Sequence, residues 1–258
     1  MSLVVTSYVP EGIVMASDSR QSITIQGKTP DGKEIPKVDT INSDNVYKTF
    51  LLEKLDKNEK PCFQVGVSAF GQDLLGGIST ASHMKRFTEK RLADSDYVET
   101  IAEKIVDFFK KDFPGADIGF HVAGYKKEEK VSVPYIFYCS VKKDQVERRN
   151  LKPDKTLAYG ATWSGQIDIL AGIVQPSLMP GLEGKVAMMH KPPIIWDAMA
   201  LQDAIDFSIY AIRTTIDTIR FQARPKNVGG PIDVLVITPE KVKWVQKKEL
   251  KGESNGGL

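Results

Sequence analysis

The order of the elements predicted from the sequence indicates an α+β fold, a four-layer αββα sandwich in which two antiparallel sheets are flanked by helices. Strands come first, and two helices, further strands, two more helices and a closing pair of strands follow. This order departs from the strict alternation of strand and helix that a parallel sheet requires. The 258 residues contain no internal repeat and no linker. We therefore expect one domain over residues 1–250, followed by a flexible tail over 251–258.

Short apolar runs between turn residues predict the strands. The first two runs flank a tight turn at residues 10–12 and should pair as a hairpin. Residues 27–44 are mostly polar and show no period, which indicates a loop or a long hairpin arm. The predicted strands are 3–9, 13–17, 23–25, 46–52, 62–69, 118–125, 131–141, 232–237 and 242–246.

Apolar side chains at spacings of three and four predict the helices. The clearest stripe contains Val98, Ile101 and Ile105. Residues 72–91 begin polar and end basic, as the helix dipole favours. Four prolines between residues 176 and 200 indicate an irregular excursion. The predicted helices are 72–91, 96–113, 166–175 and 201–223.

Charge and hydropathy exclude several classes of protein. There are 35 Lys and Arg against 33 Asp and Glu, a net charge of +2, so no electrostatic argument favours nucleic acid or an anionic membrane as a partner. No stretch approaches the ~18 consecutive apolar residues of a membrane span. The N-terminus also lacks the basic start and long apolar core of a signal peptide. We expect a cytoplasmic protein that binds neither nucleic acid nor membrane.

The cysteines and histidines predict neither a disulfide framework nor a metal site. Cys62 and Cys139 both lie in apolar runs, where a buried and inert thiol is the simpler interpretation. Together with His83, His121 and His190 they show no paired ligand spacing. We therefore expect no metal and no cofactor, and the histidines stay unassigned.

The second residue carries the first indication of chemistry. Removal of Met1 would make Ser2 the first residue, with a hydroxyl and an α-amine in one residue. The α-amine titrates near a pKa of ~8, so a modest depression would leave it neutral and able to accept the hydroxyl proton. Ser2 would then supply both nucleophile and base. The alternative is an ordinary exposed terminal serine.

Two charged residues in apolar surroundings are candidates to support Ser2. If the strands at 3–9 and 13–17 pair, Asp18 lies beside the start of the chain. Lys48 occupies an otherwise apolar run, and a buried lysine needs a partner such as Asp18. An ammonium group beside Ser2 would lower the pKa values of its amine and its hydroxyl. A surface ion pair and a snorkelling lysine are the alternatives.

The run Gly12–Arg20 resembles a motif of the proteasome-type β subunits of the N-terminal nucleophile (Ntn) hydrolases, which include the proteasome, HslV and Anbu. In that family a processed terminal Thr or Ser is followed, at a sixteen-residue offset, by the Asp of a G-x-x-x-A-x-D-x-R run. Ser2 and Asp18 have this spacing. The family's catalytic lysine lies in a later strand, as Lys48 does. The resemblance extends loosely over most of residues 2–238.

The resemblance implies an Ntn-hydrolase fold, hydrolysis of peptide or other linear amide bonds, and catalytic roles for the serine, aspartate and lysine named above. It implies that a backbone N–H near Phe70 or Gly71 binds the oxyanion and that Ser164 supports the nucleophile. It also implies a homo-oligomer, either a ring or a helical stack. The existence of an unfoldase partner stays open.

Departures from the family pattern keep other functions open. Pro225 and Val228 stand where the family has an Asp and a Ser that support the nucleophile, and residues 27–44 are longer than the corresponding loop. One alternative is a non-catalytic assembly subunit, in which Ser2→Ala would change nothing. Another is a small-amide amidase of the same fold, in which the 176–200 excursion covers the site and excludes long peptides.

Overall fold

The computed structural model describes residues 2–180 and 186–249. Met1, the middle of the 176–200 excursion and the tail predicted over 251–258 lie outside the described residues. The extent of the domain, residues 1–250, stays a prediction.

The helices are α1 (Thr80–Arg91), α2 (Val98–Asp112), α3 (Asp168–Val174) and α4 (Leu201–Phe221). The strands are β1 (Leu3–Val9), β2 (Gly12–Ser17), β3 (Gln21–Ile25), β4 (Val38–Ser43), β5 (Thr49–Leu55), β6 (Pro61–Gly71), β7 (Leu74–Leu75), β8 (Ile78–Ser79), β9 (Ile118–Glu128), β10 (Val131–Ser140), β11 (Gln145–Arg148), β12 (Gly160–Gly165), β13 (Ser177–Pro180), β14 (Val186–Met189), β15 (Asp233–Ile237) and β16 (Val242–Gln246).

Two antiparallel sheets, each of five strands within the described residues, form the centre of the fold. The first has the strand order β12-β1-β2-β15-β16, and the second has the order β11-β10-β9-β6-β5. Helices α3 and α4 pack on the outer face of the first sheet, and α1 and α2 pack on the outer face of the second. A third apolar cluster lies between the sheets. The predicted four-layer αββα sandwich is therefore confirmed.

Strands β1 and β2 are buried along their whole length, because each is covered on both faces. Leu3 and Val5 pack in the helix-facing cluster, whereas Tyr8 and Ile13 pack between the two sheets. A strand covered on both faces has a continuous apolar run rather than an alternating one. The hairpin predicted for these two strands is confirmed by their antiparallel pairing.

One predicted helix starts later than its sequence pattern suggests. Residues 72–79 precede α1 and form the short hairpin of β7 and β8. Gly76 and Gly77, between these strands, have positive φ angles of 58° and 77°, a conformation that glycine adopts easily and an α-helix does not contain. The Ser79 side chain then caps α1. The prediction of helix over 72–79 is wrong because the glycine pair interrupts it.

The strands without a predicted counterpart lie at an edge of a five-stranded sheet or in short two-stranded pairs. No strand is predicted at β11 or β12, which form one edge of each sheet. Most of their residues are half-buried, so their apolar pattern is weak. β3 and β4 pair as an arm, one of the two structures expected for residues 27–44. β13 and β14 pair within the segment predicted as irregular.

The other three helices agree with their predicted ranges to within a few residues at each end, which is the usual uncertainty of helix boundaries. Their apolar stripes face the sheets and supply the outer apolar clusters. Among helices in the described residues, none is long and apolar enough to cross a membrane.

Candidate active site

A cleft of about 520 Å³ opens at the end of the sandwich where β1 begins and β6 ends. Ser2, Lys48 and Gly71 line it together. Ser2 is 4% exposed and the Lys48 side chain is 3% exposed, so both residues lie in the wall of the cleft. These three residues are far apart in the sequence, and the fold brings them together. Each of them is predicted from the sequence as a site residue.

Asp18 is fully buried, and both of its carboxylate oxygens accept hydrogen bonds. Oδ1 accepts from the Leu3 N–H at 2.9 Å and from Lys48 Nζ at 2.7 Å. Oδ2 accepts from the N–H groups of Arg20 at 3.1 Å and Gly229 at 3.0 Å. A buried carboxylate requires such partners. These four donors hold Asp18 beside the start of β1, as the β1–β2 pairing predicts.

Lys48 immediately precedes β5 and directs its ammonium group into the protein. In addition to Asp18, Nζ donates to the carbonyl oxygen of Arg20 at 2.6 Å. An ammonium group has three N–H donors, and the described acceptors use two of them. Loss of either partner of a buried ion pair leaves an uncompensated charge. The aspartate that the sequence suggests as the partner of Lys48 is the one it contacts.

The position of Ser2 is fixed by the backbone on both sides. Its carbonyl oxygen accepts a hydrogen bond from the Gln166 N–H at 2.7 Å, and the next N–H, that of Leu3, donates to Asp18. Gly165 has a φ of 100°, and a Cβ added there would lie 1.7 Å from the Ser2 carbonyl oxygen. Glycine is therefore required for β12 to approach Ser2 so closely.

We expect Gly165→Ala to displace Ser2. The added methyl group would overlap the Ser2 carbonyl oxygen, and alanine is strained at this φ. The free energy of unfolding, measured in urea, should fall by about 2–3 kcal/mol. Reaction of Ser2 with a serine-directed electrophile should slow at least about tenfold. Gly172→Ala is the matched control, because an added Cβ there meets open space; equal effects of the two substitutions would contradict the prediction.

Phe70 and Gly71, the two candidates for the oxyanion site, differ in their placement. Gly71 borders the cleft and has a φ of 94°. A Cβ added there would lie 2.2 Å from the carbonyl oxygen of Asp117. The Phe70 ring stacks on Tyr138 with 5.8 Å between the ring centroids and lines a neighbouring cavity. Of the two, only Gly71 borders the cleft that Ser2 lines, and the oxyanion role stays a prediction.

Ser164 lies in β12, and its hydroxyl contacts a buried histidine. Nε2 of His121 is 2.9 Å from Ser164 Oγ, and Nδ1 is 3.0 Å from Thr6 Oγ1. Burial, with a smaller contribution from the charge of Arg149, lowers the pKa of His121 to about 3. The ring is therefore neutral near pH 7, with one nitrogen donating and the other accepting. The Ser164 hydroxyl thus belongs to a polar bridge between the two sheets, and its predicted support of the nucleophile stays a prediction.

Two positions that depart from the proteasome-type pattern lie close to backbone contacts with Asp18. Val228 is buried in the apolar layer beside α4, and Pro225, like Val228, has no polar side chain. The neighbouring Gly229 nevertheless donates its N–H to Asp18 and accepts a hydrogen bond from the Ser19 N–H at 2.9 Å. The departure therefore removes side-chain hydroxyl and carboxylate groups but leaves a direct backbone contact with Asp18.

Two solved structures have the architecture described here. The Anbu (Gly-1) mutant from Hyphomicrobium sp. strain MC1 matches with a TM-score of 0.57 over 96% of this chain and 86% of that chain, at 14% sequence identity. Anbu (ancestral β-subunit) from Yersinia bercovieri matches with a TM-score of 0.53 over 95% of this chain and 87% of that chain, at 13% identity. The chain has the Anbu fold. This likeness confirms the proteasome-type fold that the sequence predicts. No protein-family model matches the sequence, and no curated protein matches it.

In the Anbu fold of this chain, Arg20 joins the hairpin arm to the loop that precedes β15. Its Nε and Nη2 donate to the two oxygens of Asp44 at 2.6 and 2.8 Å, and Nη1 donates to the Lys226 carbonyl at 3.1 Å. The hydrogen bonds of this ion pair raise the pKa of Arg20 and lower the pKa of Asp44. The guanidinium covers Gly229, where an added Cβ would lie 2.4 Å from Cζ, so a larger residue there would have to displace the guanidinium.

Asp73 adds another carboxyl group to the cleft wall. Gln21 Nε2 donates to it, and Asn42 Nδ2 donates to Gln21 in turn. Burial raises the pKa of Asp73, and the positive charge of Lys48 opposes that shift. Sequence reasoning misses this residue because it lies in the segment predicted as helix. In the part of the chain that the structure describes, no group of three possible metal ligands is found.

Proposed function

We propose that this protein is a proteasome-like Ntn hydrolase that cleaves peptide or other amide bonds with Ser2 as its nucleophile. The observation that carries the proposal is the buried Lys48–Asp18 ion pair in the wall of the cleft that Ser2 lines. Burial of charges is costly, and charge clusters in clefts are frequent at catalytic sites. The Anbu fold supports the same class of protein.

In the proposed reaction, removal of Met1 frees the α-amine of Ser2 to act as the base. Ser2 Oγ attacks the carbonyl carbon of the scissile amide. Its proton passes to the α-amine through a water molecule, because direct transfer within one residue is strained. The Lys48 ammonium stabilises the negative charge that develops on Oγ, and Asp18 holds the ammonium in position.

The tetrahedral intermediate carries a negative charge on the former carbonyl oxygen. The Gly71 N–H is the proposed donor to this oxygen, an interaction that typically contributes ~3–4 kcal/mol. The C–N bond then breaks, the leaving amine takes the proton from the α-ammonium group, and the acyl group stays on Ser2 as an ester. Water attacks this ester with the α-amine as base, which releases the acid and restores Ser2.

The proposal includes a homo-oligomer, as a ring or a helical stack, and a cytoplasmic location. The homo-oligomer rests on the resemblance to proteasome-type subunits, and the location rests on two cysteines that predict no disulfide framework. It includes no cofactor. A panel of peptides and small amides would distinguish a peptidase from the small-amide amidase of the same fold.

A non-catalytic assembly subunit is the second candidate function. Pro225 and Val228 favour it, because they replace the polar residues that support the nucleophile in the family. In such a subunit Met1 is retained, so the amine of Ser2 stays acylated and cannot act as a base. Ser2→Ala would then leave every measured property unchanged.

Intact-protein mass spectrometry, before and after treatment with an epoxyketone, tests the proposal. We expect loss of Met1 and one adduct on Ser2, and no adduct on Ser2→Ala. Amide hydrolysis by Ser2→Ala should fall at least about 10³-fold. Ser22→Ala is the matched control, because Ser22 also lines the cleft and its hydroxyl donates to Asn227 Oδ1 at 3.1 Å. Retained Met1 without an adduct would overturn the proposal in favour of the assembly subunit.

A further inference from the structure

A second buried lysine lies close to the candidate catalytic pair. Lys248 follows β16 by two residues, and its side chain is 5% exposed. Its Nζ donates to Oδ2 of Asp233, which is fully buried, and its backbone N–H donates to Oδ1 of the same carboxylate at 2.8 Å. Asp233, at the start of β15, therefore binds both the backbone N–H and the ammonium group of Lys248.

The remaining contacts of the Lys248 ammonium lead to the candidate site. Nζ donates to Ser19 Oγ at 2.8 Å and lies 4.2 Å from the centroid of the Tyr47 ring. Ser19 directly follows Asp18, and Tyr47 directly precedes Lys48. The Lys248 side chain thus contacts Ser19 and Tyr47, which are adjacent in the sequence to Asp18 and Lys48.

The segment around Ser19 is held by several other elements. Its N–H donates to the Gly229 carbonyl at 2.9 Å, and its own carbonyl accepts from the Val46 N–H at 3.0 Å. Lys248 adds the side-chain contact to these backbone contacts. The ammonium therefore lies at the point where the end of β2, the start of β5 and the loop before β15 meet.

The charges of the two lysines also interact. Burial lowers the pKa of Lys248, the hydrogen bond to Asp233 opposes that shift, and the positive charge of Lys48 lowers this pKa further. A charge pair in low dielectric acts on its neighbours more strongly than an exposed pair does. Removal of one partner from Lys248–Asp233 would therefore change the electrostatic potential at Lys48 and at Ser2.

We propose that Lys248 is a positioning residue, which holds Ser19 and Tyr47 from its ion pair with Asp233 and so fixes Asp18 against Lys48. This inference rests on the proposed function, because it concerns the reactivity of Ser2. Lys248 acts through its neighbours and does not contact the reacting atoms. A purely structural role would lower stability without changing the pH dependence of the folded enzyme.

The test compares Lys248→Met with Lys248→Arg and with Lys247→Met. Lys247 is the matched control, because it is the adjacent lysine, is exposed and lies over the Trp244 ring. The measurements are kcat/KM against pH and the rate of epoxyketone labelling of Ser2. Each is made at a temperature at which circular dichroism shows the variant to be folded.

We expect Lys248→Met to lower kcat/KM and the labelling rate by about 10- to 100-fold. The acid limb of its pH profile should move to higher pH by about half a unit or more, because an uncompensated Asp233 carboxylate favours the protonated α-amine of Ser2. Lys248→Arg should stay within about threefold of the wild-type rate, and Lys247→Met should have the wild-type rate. The other charged groups around the site are the same in all these proteins: Asp18, Arg20, Lys48, Asp73 and Asp117.

A second variant covers the case in which Lys248→Met does not fold. Asp233→Asn keeps the lysine and leaves its positive charge uncompensated, so the acid limb should move to lower pH. A folded Lys248→Met or Asp233→Asn protein with the wild-type pH profile and labelling rate would overturn the inference. If wild-type protein is labelled on Ser2 and both variants behave like it, the inference alone fails. If wild-type protein is not labelled, the proposed function fails and the inference falls with it.

Discussion

Lys48→Met should leave a folded protein that is much less stable and without measurable hydrolysis. Methionine keeps the length of the side chain but removes the ammonium group that contacts buried Asp18. The carboxylate keeps its backbone donors but becomes an uncompensated buried charge, which typically costs roughly 3–5 kcal/mol. Urea unfolding measures this loss. Hydrolysis and epoxyketone labelling of Ser2 should each fall at least about 10³-fold.

Two further variants separate the contribution of the charge from that of the ion pair. Lys54→Met is the matched control, because Lys54 forms a 2.7 Å ion pair with Asp94 in which both side chains are about half exposed or more. Such pairs contribute about 0–1 kcal/mol, so this variant should be nearly as stable and as active as wild type. Asp18→Asn combined with Lys48→Met removes both buried charges and should recover stability without recovering activity. Wild-type hydrolysis in Lys48→Met would exclude the proposed role of Lys48.

The protein should lose stability steadily as the pH falls from about 6.5 towards 3, and His121 should account for part of this loss. In the unfolded chain the imidazole takes up a proton below its ordinary pKa of ~6.5, whereas burial lowers the pKa of native His121 to about 3. Within this window the unfolded state binds more protons, so the free energy of unfolding decreases as the pH decreases. The contribution of His121 should reach roughly 3 kcal/mol between pH 6.5 and pH 4.

His121→Gln tests this prediction, because glutamine can bond to Thr6 and Ser164 but does not titrate. Urea unfolding at a series of pH values should show that the free energy of unfolding decreases less for this variant than for wild type over the same pH window. His190→Gln is the control, since His190 is exposed and its replacement should leave the pH dependence unchanged. Equal slopes for His121→Gln and wild type would show that His121 does not titrate as its burial indicates.

Much of the fold can be predicted from local patterns. The hairpin of β1 and β2 follows from two apolar runs around one tight turn, and the range of β16 follows from its apolar run. The boundary of α1 cannot be predicted in the same way, because Gly76 and Gly77 become decisive only through their positive φ angles. The edge strands β11 and β12 are missed because half-buried residues carry little apolar pattern.

The candidate site is predictable to the extent that its contacts are local or chemically obligatory. Asp18 lies near Ser2 because of the hairpin, and Lys48 contacts Asp18 because a buried lysine requires an acidic partner. The contacts of Gly229 and Lys248 join distant segments, and nothing in their local sequence indicates them. A single polar residue in an apolar strand, such as Thr6 or His121, is the one signal that could have suggested the bridge between the sheets.

The hydrogen bonds of Asp18 also have a consequence for a chain that is still being synthesised. Three of its four partners lie 15, 30 and 211 positions away in the sequence, at Leu3, Lys48 and Gly229. Contacts of such long range form late in folding, because the intervening chain must first be ordered. The nascent chain carries Ser2 from the earliest moments of translation, yet the Asp18 carboxylate lacks the last of its donors until residue 229 has left the ribosome. If Ser2 is the nucleophile of a peptidase, its surroundings are therefore completed only after most of the chain has been made.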